Sequence, residues 1–285
     1  MGYVFAVLGT KGGVGKSTVS MGVSIWLSKL LPKKSVLLVD GDPHVRSAEL
    51  KMCPTYDATL ADVLARNKTW EEAIYLCQLT DKGGKLLYPN LTVLPAGAGG
   101  FLPQLKGSPL AYFNNLKLVF DKMMSAMRKK FDVILIDTPA SASLEHLILT
   151  AAADQILYIC EANDDSINST LATARGLESF MEIKPAGVVL SKVQYNVDLK
   201  KWEGKASKIA PVLGVVPADE LVDDAFRDNL PVVAAYPESP ASLAIKEVAQ
   251  KLAKTKMAAG GEFQHRLDKA LKEAVVMVAE KEGGS

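Results

Sequence analysis

The sequence is short of cysteine, of net charge and of long apolar runs. Its three cysteines, Cys53, Cys77 and Cys160, are far apart and include no C-x-x-C pair. This argues against a disulfide framework and against a cysteine-ligated zinc or iron–sulfur site within one chain. The formal net charge is +1, so the chain lacks the global basic bias that is typical of nucleic-acid binders. No run of about 18 apolar residues occurs, so no membrane span is predicted. Together these absences favour a cytoplasmic protein.

The residues that are present predict an α/β fold. The chain has 285 residues, 48% of them hydrophobic, which is enough to bury a large core. Short apolar runs alternate with helical patterns, which favours a doubly wound, mostly parallel sheet with helices on both faces. The predicted strands are 3–8, 35–39, 91–94, 131–136, 156–159, 187–190, 213–216 and an edge strand at 232–234. The predicted helices begin at Ser17 and then cover 59–64, 70–74, 109–130, 166–181, 199–209, 221–228 and 240–254.

A glycine-rich stretch joins the first predicted strand to the first predicted helix. Residues 9–18 read GTKGGVGKST, and strand, glycine turn and helix is the context of a phosphate-binding loop. Glycine removes the Cβ atoms that would keep a polyanion from the backbone, so successive N–H groups can surround a phosphate. Lys16 would then reach the β- and γ-phosphates and the Ser17 hydroxyl would ligate Mg²⁺. The predicted nucleotide contacts are Gly12, Gly13, Val14, Gly15, Lys16, Ser17 and Thr18.

This loop departs from the strict G-x-x-x-x-G-K-[ST] pattern in two ways. Thr10 stands where the first glycine belongs, and a second lysine, Lys11, precedes the glycine pair. A flexible glycine turn with two solvated lysines is the alternative interpretation. The flanking strand and helix favour the phosphate loop over that alternative.

Three aspartates follow two of the predicted strands. Asp40 and Asp42 come directly after the strand at 35–39, and Asp137 ends the apolar run 131–136. The carboxyl ends of parallel strands are where ligands bind in such sheets. An Asp at the end of an apolar strand is the Walker B pattern, which holds Mg²⁺. Taken alone, Asp40 and Asp42 could equally be loop acids that cap the next turn.

These motifs together resemble the MinD/ParA family of deviant Walker A ATPases. The resemblance extends over about residues 3–254 and rests on K-G-G-x-G-K-[ST] at 11–17, D-G-D-P at 40–43, D-T-P-A at 137–140 and G-V-V-P-A-D at 214–219. The D-T-P-A form is more similar to the MinD side, archaeal versions especially. The resemblance implies a P-loop NTPase fold of the SIMIBI type, with a P-loop ATPase domain over 1–255 and a hinge and C-terminal amphipathic helix over 256–285.

The resemblance also implies roles for the charged residues. The protein would be a Mg²⁺-dependent ATPase that forms a homodimer around ATP. Lys11 would cross the dimer interface to the partner's phosphates, and Asp42 would position the attacking water. Asp40 would support a metal site formed with Ser17 and Asp137.

The adenine pocket is where the chain departs from its family. The family usually has Asn after the strand at 187–190, whereas this chain has Ser191. A hydroxyl replaces only part of the paired donor and acceptor of an amide, which weakens the expected preference for adenine. Pro217, Ala218 and Asp219 match the other side of the base pocket.

A C-terminal stretch has helical spacing of apolar residues from Phe263 to Val278. In MinD relatives a helix at this place binds the membrane surface. Here residues 262–282 carry four basic and five acidic side chains, a net of −1, whereas surface-binding helices are usually basic. Three interpretations stay open: docking on the body or on another protomer, peripheral membrane binding, or binding of a protein partner through 262–280.

The most favoured role is a switch that organises a division site or the position of cargo. One alternative is a ParA-like partition ATPase, because Lys200, Lys201, Lys205 and Lys208 flank Trp202 on one predicted helix and could contact DNA phosphates. Such lysines are more often a solvated face, so DNA is not the favoured partner. A metallochaperone or iron–sulfur carrier is disfavoured by the missing cysteine pair. A non-hydrolysing binding protein is disfavoured by the intact Lys16, Ser17, Asp42 and Asp137.

Overall fold

A computed structural model describes residues 1–98, 109–140, 144–255, 265–266, 268–269 and 272. The strands are β1 (Tyr3–Leu8), β2 (Val36–Asp40), β3 (Tyr75–Leu76), β4 (Leu91–Leu94), β5 (Val133–Asp137), β6 (Gln155–Glu161), β7 (Lys184–Val193) and β8 (Val212–Pro217). The helices are α1 (Lys16–Leu30), α2 (Ser47–Met52), α3 (Leu60–Leu64), α4 (Pro109–Lys130), α5 (Leu144–Ala151), α6 (Asp164–Met181), α7 (Leu199–Ala206), α8 (Glu220–Arg227), α9 (Val232–Ala235) and α10 (Pro240–Ala253).

In the described ranges the strands form one eight-stranded sheet in the order β3-β4-β2-β5-β1-β6-β7-β8. All neighbours are parallel except β3 and β4. The register places Val7 of β1 and Asp40 of β2 beside Asp137 of β5. The P-loop and the two aspartate-bearing strand ends therefore meet at one edge of the sheet, as the sequence predicts.

Both faces of the sheet are covered, which gives two apolar clusters. Along β1, Val4, Ala6 and Leu8 belong to one cluster, while Tyr3, Phe5 and Val7 belong to the other. Strands buried on both faces read as continuous apolar runs rather than as alternating ones. The predicted doubly wound α/β architecture is confirmed.

Two of the predicted elements are wrong. The predicted edge strand at 232–234 is instead helix α9, which follows Pro231 and buries Val232 and Val233. A short apolar run does not distinguish a strand from a buried helical turn. The predicted helix at 70–74 is a turn. The Thr69 backbone N–H and hydroxyl both donate to Glu72, but the chain then enters β3, which pairs with β4.

The described part of the predicted tail helix contacts the body. Residues 265–266, 268–269 and 272 are helical. Arg266 is 8% exposed, and its Nη1 donates to the Ala153 carbonyl at 2.6 Å. Lys269 pairs with Glu182 at 2.6 Å. Both contacts lie at the amino edge of the sheet, away from the P-loop. The predicted hinge at 258–261 and most of the apolar stripe lie outside the described residues.

Within the described residues, no helix has the length and apolar character that crossing a bilayer would require.

A buried ion pair joins three elements at this same amino edge. The two terminal nitrogens of Arg128 on α4 donate to the Asp154 carboxylate at 2.7 and 3.1 Å. They also donate to the carbonyls of Gly2 and Ala152, while Asp154 accepts the Val4 N–H at 2.8 Å. The pair therefore ties α4 to the starts of β1 and β6.

We expect Arg128→Met to lower the free energy of unfolding by about 3–5 kcal/mol, because it leaves the Asp154 carboxylate buried without its cation. Urea denaturation measures this. Lys34→Met is the control, since the Lys34–Asp132 pair is 2.8 Å long but 56% and 38% exposed; its loss should cost less than about 1 kcal/mol. Equal effects of the two substitutions would contradict the structural role of Arg128.

Candidate nucleotide site

The P-loop ends at a helix terminus that no side chain caps. Helix α1 begins at Lys16 with Gly15 as its N-cap at φ 93°, and no side chain accepts from its first turn. No acidic residue lies in that turn. The free N–H groups and the positive end of the helix dipole therefore favour an anion at this place.

Gly15 is required by its conformation and by a close neighbour. Positive φ is costly for a residue with a Cβ. A Cβ at position 15 would also lie 2.8 Å from the hydroxyl of Ser191, which is 3% exposed at the end of β7. Ser191 is thus packed directly beneath the phosphate loop.

Lys16 is a largely buried ammonium that has carboxylates nearby. It is 7% exposed. Burial lowers its pKa, while the charges of Asp137 and Asp42 act in the opposite direction. A desolvated cation at the start of α1 interacts strongly with phosphate oxygens, because water screens it poorly.

Asp137 is the carboxylate that fits a metal ion. It is 1% exposed, and burial raises its pKa to about 6 against the hydroxyls of Ser17 and Ser20 and the charge of Lys16. Its Oδ1 accepts from Ser20 at 3.0 Å, whereas its buried Oδ2 has no hydrogen-bond partner in the described part of the chain. An unpartnered carboxylate oxygen beside the Ser17 hydroxyl is the hard-oxygen donor set that Mg²⁺ prefers.

Mg²⁺ bound here would be held largely by phosphate and water. No group of three or more His, Cys, Asp or Glu side chains that could hold a metal occurs among the described residues. Mg²⁺ usually keeps several waters and takes only one or two carboxylates together with substrate phosphates. The site therefore fits a metal that arrives with a nucleotide.

Asp40 is engaged with the backbone. It is fully buried, and burial together with the charge of Asp137 raises its pKa to about 8. Its Oδ1 accepts the Asp42 N–H at 3.2 Å, and its Oδ2 accepts the N–H groups of Ala48 and Glu49 at 2.9 and 3.1 Å. The carboxylate therefore anchors the loop after β2 and the first turn of α2.

Asp42 and Lys11 lie on either side of the phosphate loop. Asp42 is half-buried, and its Oδ1 accepts the N–H groups of His44 and Val45 at 3.0 and 3.2 Å. Lys11 is exposed, with its Nζ 4.0 Å from the Asp165 carboxylate. Lys11 does not line the cavity at the P-loop, so within one protomer its ammonium is directed to the surface of α6.

Two adjoining cavities bring most of the predicted site residues together. One, of about 340 Å³, has the phosphate loop as its floor and Asp42 on its wall. The other, of about 180 Å³, contains the four residues predicted for the base: Ser191, Pro217, Ala218 and Asp219. Gly15, Thr18, Lys192, Val222 and Asp223 line both cavities. The arrangement suits a nucleotide with its phosphates in the first cavity and its nucleoside in the second.

A larger cavity of about 490 Å³ lies between the segment 63–72 and α4. It contains neither a phosphate loop nor a buried carboxylate. We assign the nucleotide site to the smaller cavities because the chemistry, rather than the volume, decides it.

Asp219 has a structural role that its place in the motif did not reveal. Its Oδ1 accepts the Leu221 N–H at 3.0 Å and its Oδ2 accepts the Ala241 N–H at 3.0 Å. It therefore caps α8 and fixes the start of α10, so its carboxylate is already occupied beside the nucleoside cavity.

Sequence reasoning missed several residues that shape the cavities. Lys192, with φ 56°, lies between the two cavities. Val222, Asp223 and Phe226 line the phosphate cavity from one face of α8. Their i, i+1, i+4 spacing directly after Asp219 was a usable signal, since the helix starts where the base pocket was placed.

Glu49 is a further buried acid that the sequence did not single out. It is fully buried and accepts from Arg46 at 3.0 Å, from the Tyr56 hydroxyl at 2.9 Å and from the Gly97 N–H at 2.9 Å. It joins α2 to the loop after β4, and so holds one wall of the phosphate cavity.

We expect Gly15→Ala to lower the free energy of unfolding by about 1–2 kcal/mol or more, because a left-handed residue would gain a Cβ that meets Ser191. Gly12→Ala is the matched control, since a Cβ there meets no atom within 4 Å; it should change stability by less than about 0.5 kcal/mol. Urea denaturation without nucleotide measures both. The assignment fails if the two alanines are equally tolerated.

Comparison with known proteins extends this similarity to most of the chain. A family model described as an AAA domain matches residues 2–182. An uncharacterized ATP-binding protein of Methanocaldococcus jannaschii is 29% identical over 255 residues, which cover 88% of each chain. The antiactivator FleN of Pseudomonas aeruginosa is 28% identical over 262 residues, covering 87% of this chain and 85% of FleN. The crystal structure of the Pyrococcus furiosus cell division ATPase MinD matches with a TM-score of 0.72 and 25% identity, covering 89% of this chain and 99% of that one.

Proposed function

From a chain that belongs to the AAA-domain family and is a P-loop ATPase of the MinD/ParA type, we propose a Mg²⁺-dependent ATPase that acts as a molecular switch. The observation that carries the proposal is the arrangement at the start of α1. There Lys16 and Ser17, on an uncapped helix terminus, lie beside a buried Asp137 that has an unpartnered oxygen. This combination has few uses other than holding a nucleoside triphosphate with its metal.

The residues of one protomer divide the work of binding. The N–H groups of Gly12, Gly13, Val14 and Gly15 surround the phosphates, and Lys16 and Thr18 complete the loop. Ser17 and Asp137 would hold Mg²⁺, which supplies neutralisation of the charge that develops on the transferred phosphoryl group. Asp40 would support this site indirectly, because both of its oxygens already accept backbone N–H groups.

We assign to Asp42 the positioning of the attacking water. Its side chain lies on the wall of the phosphate cavity, and its Oδ1 is fixed by the turn at residues 42–46. A carboxylate held in this way can orient a water with little reorganisation during the reaction. Ser191, Pro217, Ala218 and Asp219 would contact the base in the adjoining cavity.

Lys11 would act across a homodimer that forms around ATP. In one protomer its exposed ammonium lies beside Asp165, outside the cavity. A cation that reaches the phosphates only from a second protomer would stabilise the transition state only in the dimer. ATP would then hold the dimer together, and hydrolysis would release it.

The switch would organise a division site or the position of cargo in the cytoplasm, which agrees with the similarity to the cell division ATPase MinD. We propose that residues 1–255 are the ATPase domain and that 256–285 are a hinge and tail helix. The contacts of Arg266 and Lys269 with the body support a docked tail. Residues 262–280 would be released to bind a membrane surface or a protein partner when the dimer forms.

We expect wild-type protein to dimerise with Mg²⁺-ATP but not with Mg²⁺-ADP, as measured by sedimentation velocity. Lys11→Ala should bind ATP yet stay monomeric and hydrolyse it at least about 100-fold more slowly, because it removes one stabilising cation from the transition state. Lys34→Ala, a surface lysine paired with Asp132, is the control.

If Lys11→Ala dimerises and hydrolyses ATP like wild type, the role of Lys11 across the interface is wrong. If wild type binds no ATP, the proposed switch itself is wrong.

A ParA-like function on DNA is the second candidate, because α7 presents lysines at the surface. Lys200 and Lys201 are exposed, and the ammonium groups of Lys201 and Lys205 lie 4.6 and 4.9 Å from the Trp202 ring centroid. Lys205 also pairs with Asp164, which reduces the charge available to phosphates.

If α7 binds DNA, replacing Lys200, Lys201 and Lys205 by Gln should weaken ATP-dependent DNA retention and flatten its salt dependence by up to about one logarithmic unit per contact. Filter binding over a salt series measures this. Lys82→Gln with Lys85→Gln, in the distal turn after β3, is the control. DNA retention that does not depend on α7 would remove this candidate.

A further inference from the structure

The phosphate cavity lies between two walls that come from distant parts of the chain. One wall is the segment from Asp42 to Ser47, which leads into α2. The opposite wall is the face of α8 that carries Val222, Asp223 and Phe226. No main-chain hydrogen bond is found between these walls in the described ranges. A side-chain contact is therefore what could couple their motions.

Such a contact exists between Lys51 of α2 and Phe226 of α8. The Lys51 Nζ lies 3.8 Å from the centroid of the Phe226 ring, well within the distance at which a cation is attracted to a ring face. We call this pair the strap. It spans from the wall that carries Asp42 to the wall that carries Phe226.

Each member of the strap lacks an equally good alternative partner. Lys51 is 5% exposed, and its ammonium makes no ion pair or hydrogen bond within the described part of the chain. The nearest acid along α2, Glu49, is already occupied by Arg46, Tyr56 and Gly97. Phe226 is 59% exposed, so the core does not fix its ring. A buried cation without a carboxylate gains more from a ring face than a solvated one does.

The two walls are each connected to one half of the nucleotide site. The first turn of α2 is held by Asp40, whose neighbour Asp137 faces the phosphates. Helix α8 starts at Asp219, which lines the nucleoside cavity. A contact between α2 and α8 therefore joins the phosphate half to the nucleoside half of the site.

We propose that Lys51 and Phe226 are positioning residues that hold the two cavity walls together and so slow the release of nucleotide. The inference rests on the proposed function in one respect, namely that the cavity holds a nucleotide. With the strap in place, α2 and α8 enclose the bound phosphates. When it is broken, α8 moves independently and the mouth of the cavity opens.

The strength of such contacts sets the expected effect. A desolvated cation–ring contact corresponds to a change of about 2- to 30-fold in a rate that requires its rupture. The strap should therefore change the dissociation rate of ADP within that range. It should alter the turnover number less, because neither side chain touches the reacting atoms.

The test is the dissociation of a fluorescent N-methylanthraniloyl-ADP from the full chain, chased with excess unlabelled ADP. Lys51→Met keeps the length and apolar stem of the side chain but removes the charge, and Phe226→Leu removes the ring. Each should raise the dissociation rate by about 2- to 30-fold. The double variant should raise it no further than the single variants do, because both remove one contact.

Two further variants separate the strap from general destabilisation. Lys51→Arg keeps a cation over the ring and should restore a slow dissociation rate. Lys29→Met removes a cation from the rings of Trp26 and Tyr88, 4.8 and 5.3 Å away, at a place outside the cavity; it should leave the rate unchanged. Thermal melting confirms that each variant is folded.

The outcomes distinguish the strap from the proposed function. Additive effects of Lys51→Met and Phe226→Leu, or no change in either, overturn the strap while nucleotide binding stands. If wild type does not bind the fluorescent ADP at all, it is the proposed function that fails.

Discussion

The burial of like charges at the carboxyl edge of the sheet is the constraint on which the rest of the site depends. Asp40, Asp137 and Glu49 are at most 1% exposed, and Lys16 is 7% exposed. Taking carboxylates out of water is costly unless each finds donors or a cation. Asp40 finds three backbone N–H groups, and Glu49 finds an arginine, a phenol and a backbone amide. Asp137 alone keeps an oxygen unpartnered, so the demand for an added cation is concentrated there.

The same constraint explains why the loop after β2 is ordered in the way it is. Asp40 can remain buried only while the N–H groups of Asp42, Ala48 and Glu49 point back at it. That requirement forces the chain to turn sharply through residues 42–46, where Arg46 adopts φ 50°. The turn in turn places Asp42 at the cavity. A carboxylate that was predicted as metal support thus acts first as a structural anchor.

Much of the architecture was predictable because parallel strands buried on both faces appear as unbroken apolar runs. The phosphate loop and Asp137 were predictable for a different reason, since local strand–loop–helix order determines their geometry. What could not be predicted depends on contacts between remote residues. Val232–Ala235 is a helix because it packs beside Gly22 and Ile245, and a short apolar run carries no sign of this. The roles of Glu49 and of the Lys51–Phe226 contact likewise follow from tertiary packing, not from any spacing along the chain.

The two borders of the sheet explain how a chain this rich in β-structure can remain soluble at high concentration. An open strand border is a template for pairing with another molecule and for aggregation. At one border β3 is only two residues long and runs antiparallel to β4, so it offers almost no ladder to an incoming strand. At the other border Lys251 donates to the outward carbonyl of Leu213 at 2.7 Å, and β8 ends at Pro217, which has no N–H to donate. Each border is thus blunted by a different device, and self-association is left to surfaces other than the strand ladders.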